Sequence, residues 1–199
     1  MPTIRSRGRL PHWEADQAIY FVTFRLADSP PRSVLQEFEL DRQSIIIAAK
    51  QADRALLSPS DERRLEELLS EKIQAKLDAG AGRCFLADSR IASVVAEALA
   101  HFNLSKYRMY AWCVMPNHVH ALFRVLDGHA LAEILHAWKS FSATRANRLL
   151  RRSGEFWQRE YYDHLVRGEK EFYRIVNYIA ENPNRAGLRK WQWVEVDLK

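Results

Sequence analysis

Two apolar segments with only two residues between them limit what this chain can become. Residues 107–115 (Tyr-Arg-Met-Tyr-Ala-Trp-Cys-Val-Met) and 118–126 (His-Val-His-Ala-Leu-Phe-Arg-Val-Leu) are separated by Pro116-Asn117. Both are rich in aromatic and β-branched residues, which predicts strands. A Pro-Asn connection predicts a tight turn. Strands joined this closely run antiparallel, because a parallel pair needs a crossover of a dozen or more residues. The remainder of the chain must then supply further strands and the helices that cover the sheet.

Those elements are visible. Residues 19–27 (Ile-Tyr-Phe-Val-Thr-Phe-Arg-Leu-Ala) predict a strand, stopped by Asp28-Ser29-Pro30-Pro31. Residues 33–56 and 60–79 predict two helices. Ser60 is the expected N-cap of the second, with Asp61 and Glu62 in its first turn. Leu65, Leu68, Leu69, Ile73 and Leu77 recur along it at helical spacing before Ala79-Gly80-Ala81-Gly82 ends it. A third helix is expected over 89–103, with Ile91, Val94, Val95, Ala98 and Leu99 on one face. A long helix follows over 130–151, then a short strand over 156–166. The last helix is expected over 169–181, cored by Phe172, Ile175, Val176 and Ile179 and ended by Asn182-Pro183. Leaving aside 33–83, the order is β-α-β-β-α-β-α. It predicts an α+β fold: a ferredoxin-like (RRM-like) antiparallel sheet with helices packed on it. The chain is then one domain over 1–199, with a basic N-terminal arm (1–12) and a helical insertion (33–83). No repeat or low-complexity linker interrupts it.

Composition excludes several classes. At 199 residues the chain can bury a sizeable core, and 47% apolar with 28% charged residues is globular material. No apolar run approaches the ~20 residues of a membrane span, and no apolar segment follows the first residues as in a secretory signal. Cys84 and Cys113 are too few and too far apart for a disulfide framework or a Cys-rich zinc site, so a reducing, cytoplasmic setting is expected. The net charge of +5 leans toward polyanions, and it is unevenly spread. Residues 101–199 carry 16 Lys and Arg against 10 Asp and Glu, while residues 1–100 carry 14 against 15. Arg5, Arg7 and Arg9 form one basic segment. Lys139, Arg145, Arg148, Arg151 and Arg152 form another, with no acid over 134–154. A lone basic run is most often a solvated helix face. Two of them flanking a chemical motif point toward phosphate.

His118, His120, Tyr178 and Asn182 are the residues suited to chemistry. Side chains two apart on a strand share a face, so His118 and His120 can reach one metal ion from a stiff support. Two imidazoles leave coordination positions open, as a metal that must also touch substrate requires. A bare His-x-His also occurs as two unrelated surface histidines; here it opens a strand directly after the Pro-Asn turn. Tyr178 and Asn182 are four apart and stack on one helix face, away from the Ile175 and Ile179 stripe. Separately they fit a half-buried Tyr and a C-terminal Asn cap. Together, an Asn oxygen could complete a metal shell while a phenol one turn away attacks a phosphate. A phenol has a pKa of about 10 and needs a metal or base to become a nucleophile. Tyr161, Tyr162 and Tyr173 compete for that role.

Four segments resemble one family in its own order. They are Leu10-Pro11-His12-Trp13 with Tyr20-Phe21-Val22-Thr23-Phe24-Arg25-Leu26, then Met115-Pro116-Asn117-His118-Val119-His120. Phe156-Trp157-Gln158-Arg159-Glu160-Tyr161-Tyr162-Asp163-His164 follows, and last Tyr178-Ile179-Ala180-Glu181-Asn182-Pro183-Asn184-Arg185-Ala186-Gly187-Leu188. The chain thereby resembles the REP-associated tyrosine transposases of the single-tyrosine HUH superfamily. Only 33–83 lacks a motif of that family.

The resemblance implies roles. His118 and His120 would be paired metal ligands, Tyr178 the nucleophile, and Asn182 the third ligand, where relatives often carry Gln. Asn is shorter by one methylene, which puts direct ligation at this position in doubt. Asp163 and His164 belong to the shared block with no chemical role assigned. The implied activity is metal-dependent cleavage and joining of single-stranded DNA near hairpin-forming repeats. Mg²⁺ or Mn²⁺ would serve as cofactor, with a 5′-phosphotyrosine intermediate and no high-energy cofactor. The partner is single-stranded or hairpin DNA in the bacterial nucleoid, and the protein a monomer or homodimer. Arg5, Arg7, Arg9, Lys139, Arg145, Arg148, Arg151, Arg152 and Arg185 are the candidate DNA contacts, with Arg189 beside the last. Trp138 and Trp157 are either base-stacking platforms or core residues. Two other readings stay open: a domesticated hairpin binder with little cleavage, and an unrelated metal hydrolase that would have no use for Tyr178.

Overall fold

The computed structural model describes residues 3–7, 10–14, 18–29 and 82–199. The chain divides into two compact units, Met1–Ala27 with Cys84–Lys199, and Asp28–Arg83. In the smaller unit the two chain ends are clasped. The Arg83 backbone N–H donates to Asp28 Oδ2 at 3.2 Å, and the guanidinium Nε lies 3.7 Å from the same oxygen. Gly82 has φ +93°, and a Cβ there would meet the Asp28 carbonyl oxygen at 2.6 Å, so both backbone conformation and space require glycine. The two helices expected over 33–56 and 60–79 lie outside the described residues.

The larger unit contains two sheets. Strands β1 (Thr3–Arg7) and β2 (Leu10–Glu14) pair antiparallel as a hairpin. The segment expected as a basic arm is therefore partly ordered backbone. The main sheet is built from β3 (Ile19–Arg25), β4 (Tyr107–Val114), β5 (His118–Val125), β6 (Tyr162–Leu165) and β7 (Val194–Val196), in the order β6-β3-β5-β4-β7, with every pair antiparallel. The first four strands have the order expected of a ferredoxin-like fold, and β7 extends the β4 edge. Of the strand expected over 156–166, only Tyr162–Leu165 forms a ladder; ahead of it Trp157 makes an isolated bridge to Leu26.

Three helices cover the sheet: α1 (Ser89–His101), α2 (Leu131–Leu149) and α3 (Glu169–Arg185). Asp88 caps α1 by accepting from the Arg90 N–H at 2.9 Å. Alternation along the strands sorts side chains onto two faces. Tyr20, Val22, Phe24, Val119, Ala121 and Phe123 meet Ile91, Val95 and Leu99 of α1 and Ile134, Leu135 and Trp138 of α2. On the other face Ala111, Cys113, Met115 and Leu122 meet Ile175, Val176 and Ile179 of α3. A bulge in β4 between Met109 and Ala111 inserts Tyr110, so residues after it change face relative to those before. Among the described residues no helix is long and apolar enough to cross a membrane.

Trp138 and Trp157 are core residues. They are 2% and 5% exposed. Trp138 Nε1 donates to Tyr107 Oη at 2.9 Å, and Tyr107 Oη donates in turn to the Leu99 carbonyl at 2.8 Å. Trp157 Nε1 donates to Ser142 Oγ at 2.9 Å. Each indole N–H is thus satisfied inside the α1–α2 layer, and neither ring is a base-stacking platform.

The last helix does not stop at Asn182-Pro183. It runs through Pro183 to Arg185, and Gly187, at φ +73°, follows its end. Proline removes one backbone donor and crowds the preceding turn. Here the lost donor falls near the C-terminal end, and the turn beyond it is still bonded: the Ala186 N–H bonds Asn182 O at 3.1 Å and the Leu188 N–H bonds Pro183 O at 2.9 Å. The consequence is positional. Asn182 is an interior helical residue, one turn beyond Tyr178, and not a cap.

Candidate active site

The Pro116-Asn117 turn is held from two directions. The Leu26 N–H donates to Asn117 O and the Leu86 N–H to Pro116 O, both at 3.0 Å, while Met115 N bonds His118 O at 2.8 Å across the turn. His118 therefore starts β5 from a fixed point. His120 follows on the same face, and both rings are fully buried. Their Nε2 atoms approach to 3.0 Å.

The opposite nitrogen of each ring has its own partner. His118 Nδ1 lies 2.6 Å from Asn117 Oδ1, and an amide oxygen can only accept, so the ring donates from Nδ1 and keeps a lone pair on Nε2. His120 Nδ1 lies 2.8 Å from Thr23 Oγ1 on β3. That contact lets His120 adopt the same tautomer, with both Nε2 lone pairs converging on one point. Burial keeps both rings neutral. Desolvation pushes His120 down to about 3. His118 is driven well below its ordinary value by desolvation, with the adjacent His120 and the Arg25 guanidinium adding to the effect. Neutral imidazoles are the form that binds metal.

Helix α3 carries Tyr178 and Asn182 and sets the Tyr178 hydroxyl against this pair. Its N-terminus is tied to β6: Glu171 Oε1 lies 2.9 Å from His164 Nε2, and Glu171 Oε2 accepts from the Arg167 N–H at 2.8 Å. Tyr178 is half-buried, with its hydroxyl 3.4 Å from His120 Nε2. Phe21 orders the rings around it, stacking on His120 at 5.4 Å between centroids and meeting Tyr178 edge-on at 6.0 Å. One turn further along, Asn182 is 1% exposed, and neither Oδ1 nor Nδ2 has a hydrogen-bond partner. A buried amide with both ends unsatisfied costs about 1–3 kcal/mol per group. The same donor set, two neutral imidazole nitrogens and an orphaned amide oxygen, fits a divalent cation. Among the described residues no cluster of three His, Cys, Asp or Glu exists.

The competing tyrosines are placed elsewhere. Tyr173 is 48% exposed on α3. Tyr161 packs against the α1–α2 layer, where Lys139 Nζ sits over its ring at 5.8 Å. Tyr162 meets Phe21 edge-on at 6.5 Å.

The basic residues are dispersed. Arg185 lies beside the site, with its guanidinium 6.0 Å from the Tyr178 ring centre. Lys139, Arg145 and Arg148 lie on α2, and Arg151 and Arg152 just beyond its end, and α2 packs on the sheet face opposite the histidines. Several of these side chains already have partners. Arg145 Nη1 donates to Glu97 Oε1 and Oε2 at 2.9 and 2.8 Å. Arg152 Nη2 donates to Glu155 O at 3.1 Å. Lys139 Nζ donates to Arg159 O at 2.8 Å, and burial pushes its pKa down to about 8. Arg148 and Arg151 are exposed. Arg5 and Arg7 lie on β1, and Arg9 is outside the described residues.

Thr23, Asn117 and Arg25 belong to this constellation, and the pattern of the sequence did not single them out. Arg25 is paired with His118 across the β3–β5 ladder. Its Nε donates to Gln158 Oε1 at 2.6 Å, and desolvation lowers its pKa to about 10.

A strand-borne histidine pair thus faces a helical tyrosine on a ferredoxin-like sheet. Residues 86–182 match the family described as "Transposase IS200 like", and this segment carries both histidines, Tyr178 and Asn182. A candidate REP-associated tyrosine transposase of Haemophilus influenzae is 28% identical, over 41% of this chain and 52% of its own length. An uncharacterized protein of the same organism is 25% identical, over 38% of this chain and 54% of its own. The chain thus spans about half the length of the curated relatives it matches. Among solved structures, that of a REP-associated tyrosine transposase bound to a REP hairpin superposes with a TM-score of 0.52 at 14% identity, covering 96% of this chain and 82% of the other. At that identity the likeness is one of fold.

Proposed function

We propose that this protein is a metal-dependent single-stranded DNA endonuclease and strand transferase that acts at hairpin-forming repeats through a 5′-phosphotyrosine intermediate. The observation that carries this reading is the 3.4 Å approach of the Tyr178 hydroxyl to a buried, neutral histidine pair. His118 Nε2, His120 Nε2 and Asn182 Oδ1 would hold Mg²⁺ or Mn²⁺. When bound, that ion supplies Lewis-acid polarisation of the scissile phosphate.

The chain's own residues do the rest. Asn117 and Thr23 hold the imidazoles in the ligating orientation. Phe21 fixes the Tyr178 ring, so its oxygen is presented to a phosphate without a large loss of side-chain freedom. The Tyr178 oxygen attacks phosphorus and the P–O3′ bond breaks. The phenol proton leaves to solvent and the departing 3′-oxygen takes up a proton. One phosphodiester replaces another, so a 3′-hydroxyl can later reverse the step and join strands with no further energy source. The hairpin grip falls to the exposed cations Arg148 and Arg151 on one side of the sheet and Arg185 on the other, together with the N-terminal segment that carries Arg5, Arg7 and Arg9.

The test is a cleavage assay on single-stranded hairpin DNA with Mn²⁺ or Mg²⁺, resolved on a denaturing gel that retains protein. A metal-dependent adduct is expected, lost in Tyr178→Phe and in His118→Ala, with hairpin affinity retained in both. An adduct that persists in Tyr178→Phe refutes the assignment. Tight hairpin binding with no adduct under either metal identifies a binder without cleavage. Metal-dependent hydrolysis that survives Tyr178→Phe identifies an unrelated hydrolase.

A further inference from the structure

We propose that Arg25 binds the scissile phosphate, its guanidinium holding an anionic oxygen from the His118 side of the site. The inference rests on the transesterase reading above and adds a residue to it.

The placement follows from strand alternation. On β3, Phe21 stacks on His120 and Thr23 bonds His120 Nδ1, so odd-numbered residues of this strand face the site. Arg25 is the next odd residue, and the ladder pairs it directly with His118. Cβ atoms of directly opposed antiparallel residues lie about 4.5–5.5 Å apart on one face. The charge is close enough to disfavour protonation of His118.

Its surroundings suit an anion that arrives with the substrate. The side chain is mostly buried but still reaches solvent. Its polar partner is the neutral amide of Gln158, and no described carboxylate forms an ion pair with it. Some other arginines in this unit have one: Arg108 pairs with Asp197 and Arg145 with Glu97. A mostly buried guanidinium without a counter-charge is destabilising unless something else compensates it. Gln158 engages Nε alone, which leaves the two terminal nitrogens free to present a planar fork. That geometry matches two oxygens of a phosphate.

The test compares single-turnover adduct formation in the full chain, wild type against Arg25→Gln and Arg25→Lys. Two hairpin substrates are used, one with a native scissile linkage and one with a methylphosphonate that removes the anionic oxygen. On the native linkage, Arg25→Gln should slow adduct formation by about 10²–10³-fold. Hairpin affinity should change by less than about threefold, and Arg25→Lys should fall between, because it keeps charge without the fork. On the methylphosphonate the wild type should lose most of its advantage. Equal rates for wild type and Arg25→Gln on the native linkage overturn the proposal. So does an unchanged advantage on the methylphosphonate, which marks a structural role. Should Arg25→Gln fail to fold, Arg25→Lys carries the same comparison. Absence of any adduct in the wild type refutes the transesterase reading instead. Arg25 is then decided by titrating inorganic phosphate against its Nε–H resonance, where no movement overturns the phosphate contact.

Discussion

Replacing Asn182 with leucine should make the protein more stable without metal and less responsive to it. Both polar ends of this amide are buried without partners. Each unsatisfied group costs about 1–3 kcal/mol, so removing two recovers roughly 2–6 kcal/mol. Leucine is of similar size and is the better helix former at an interior position by several tenths of a kcal/mol. Against this stands imperfect fit, at about 1–3 kcal/mol. The balance is a gain of about 2–4 kcal/mol. In a chain of this length each kcal/mol moves Tm by roughly 2–4 °C, so Asn182→Leu should melt about 5–12 °C higher in EDTA. A ligand that binds only the folded state stabilises it by about 2.7 kcal/mol at a hundred times its Kd. Mn²⁺ should therefore raise the wild-type Tm by about 5–10 °C and the variant's by far less. The assay is thermal unfolding by circular dichroism, each protein with EDTA and with Mn²⁺. A lower Tm for Asn182→Leu in EDTA refutes the claim that the orphaned amide is held against a stability cost. An equal Mn²⁺ shift in the two proteins refutes its role as a ligand.

Other outcomes follow from the same geometry. Thr23→Val removes the partner of His120 Nδ1 and should weaken Mn²⁺ binding by about 10–100-fold in titration calorimetry; unchanged affinity would show that Thr23 does not orient the ring. Both histidines titrate lower when folded than the ordinary value of 6.5, so the unfolded chain takes up protons first as pH falls. Their stabilisation is complete above about pH 6.5 and is lost progressively below it. Between pH 7 and 5.5 the metal-free protein should lose about 2–3 kcal/mol by urea unfolding, and a flat profile over that interval would contradict the burial of neutral imidazoles. Trp138→Phe deletes the indole donor to Tyr107 Oη and should cost about 1–3 kcal/mol of stability with no change in hairpin affinity; weakened DNA binding at intact stability would return Trp138 to the interface.

What was legible in the sequence depended on where each residue's partner lies. His118 with His120, and Tyr178 with Asn182, are pairs within one element, and the periods of strand and helix brought each together before any tertiary contact was known. Pro183 misled because its effect depends on position: so near the C-terminal end it removes one donor while the turn beyond it stays bonded, and the helix continues. The basic run on α2 misled differently. Helical spacing separates an exposed stripe from a buried one, but which side of the sheet the helix covers is decided by tertiary packing. The residues overlooked altogether, Thr23 and Arg25, act across a ladder that joins β3 to β5, nearly a hundred positions apart in the chain. No local pattern carries that register. Once the pairing of Arg25 with His118 is known, two-residue alternation sends Phe21, Thr23 and Arg25 to the site together. A segment that reads as an ordinary aromatic strand then supplies a ring that packs on the tyrosine, a hydroxyl that bonds His120, and a cation with no counter-charge among the described residues.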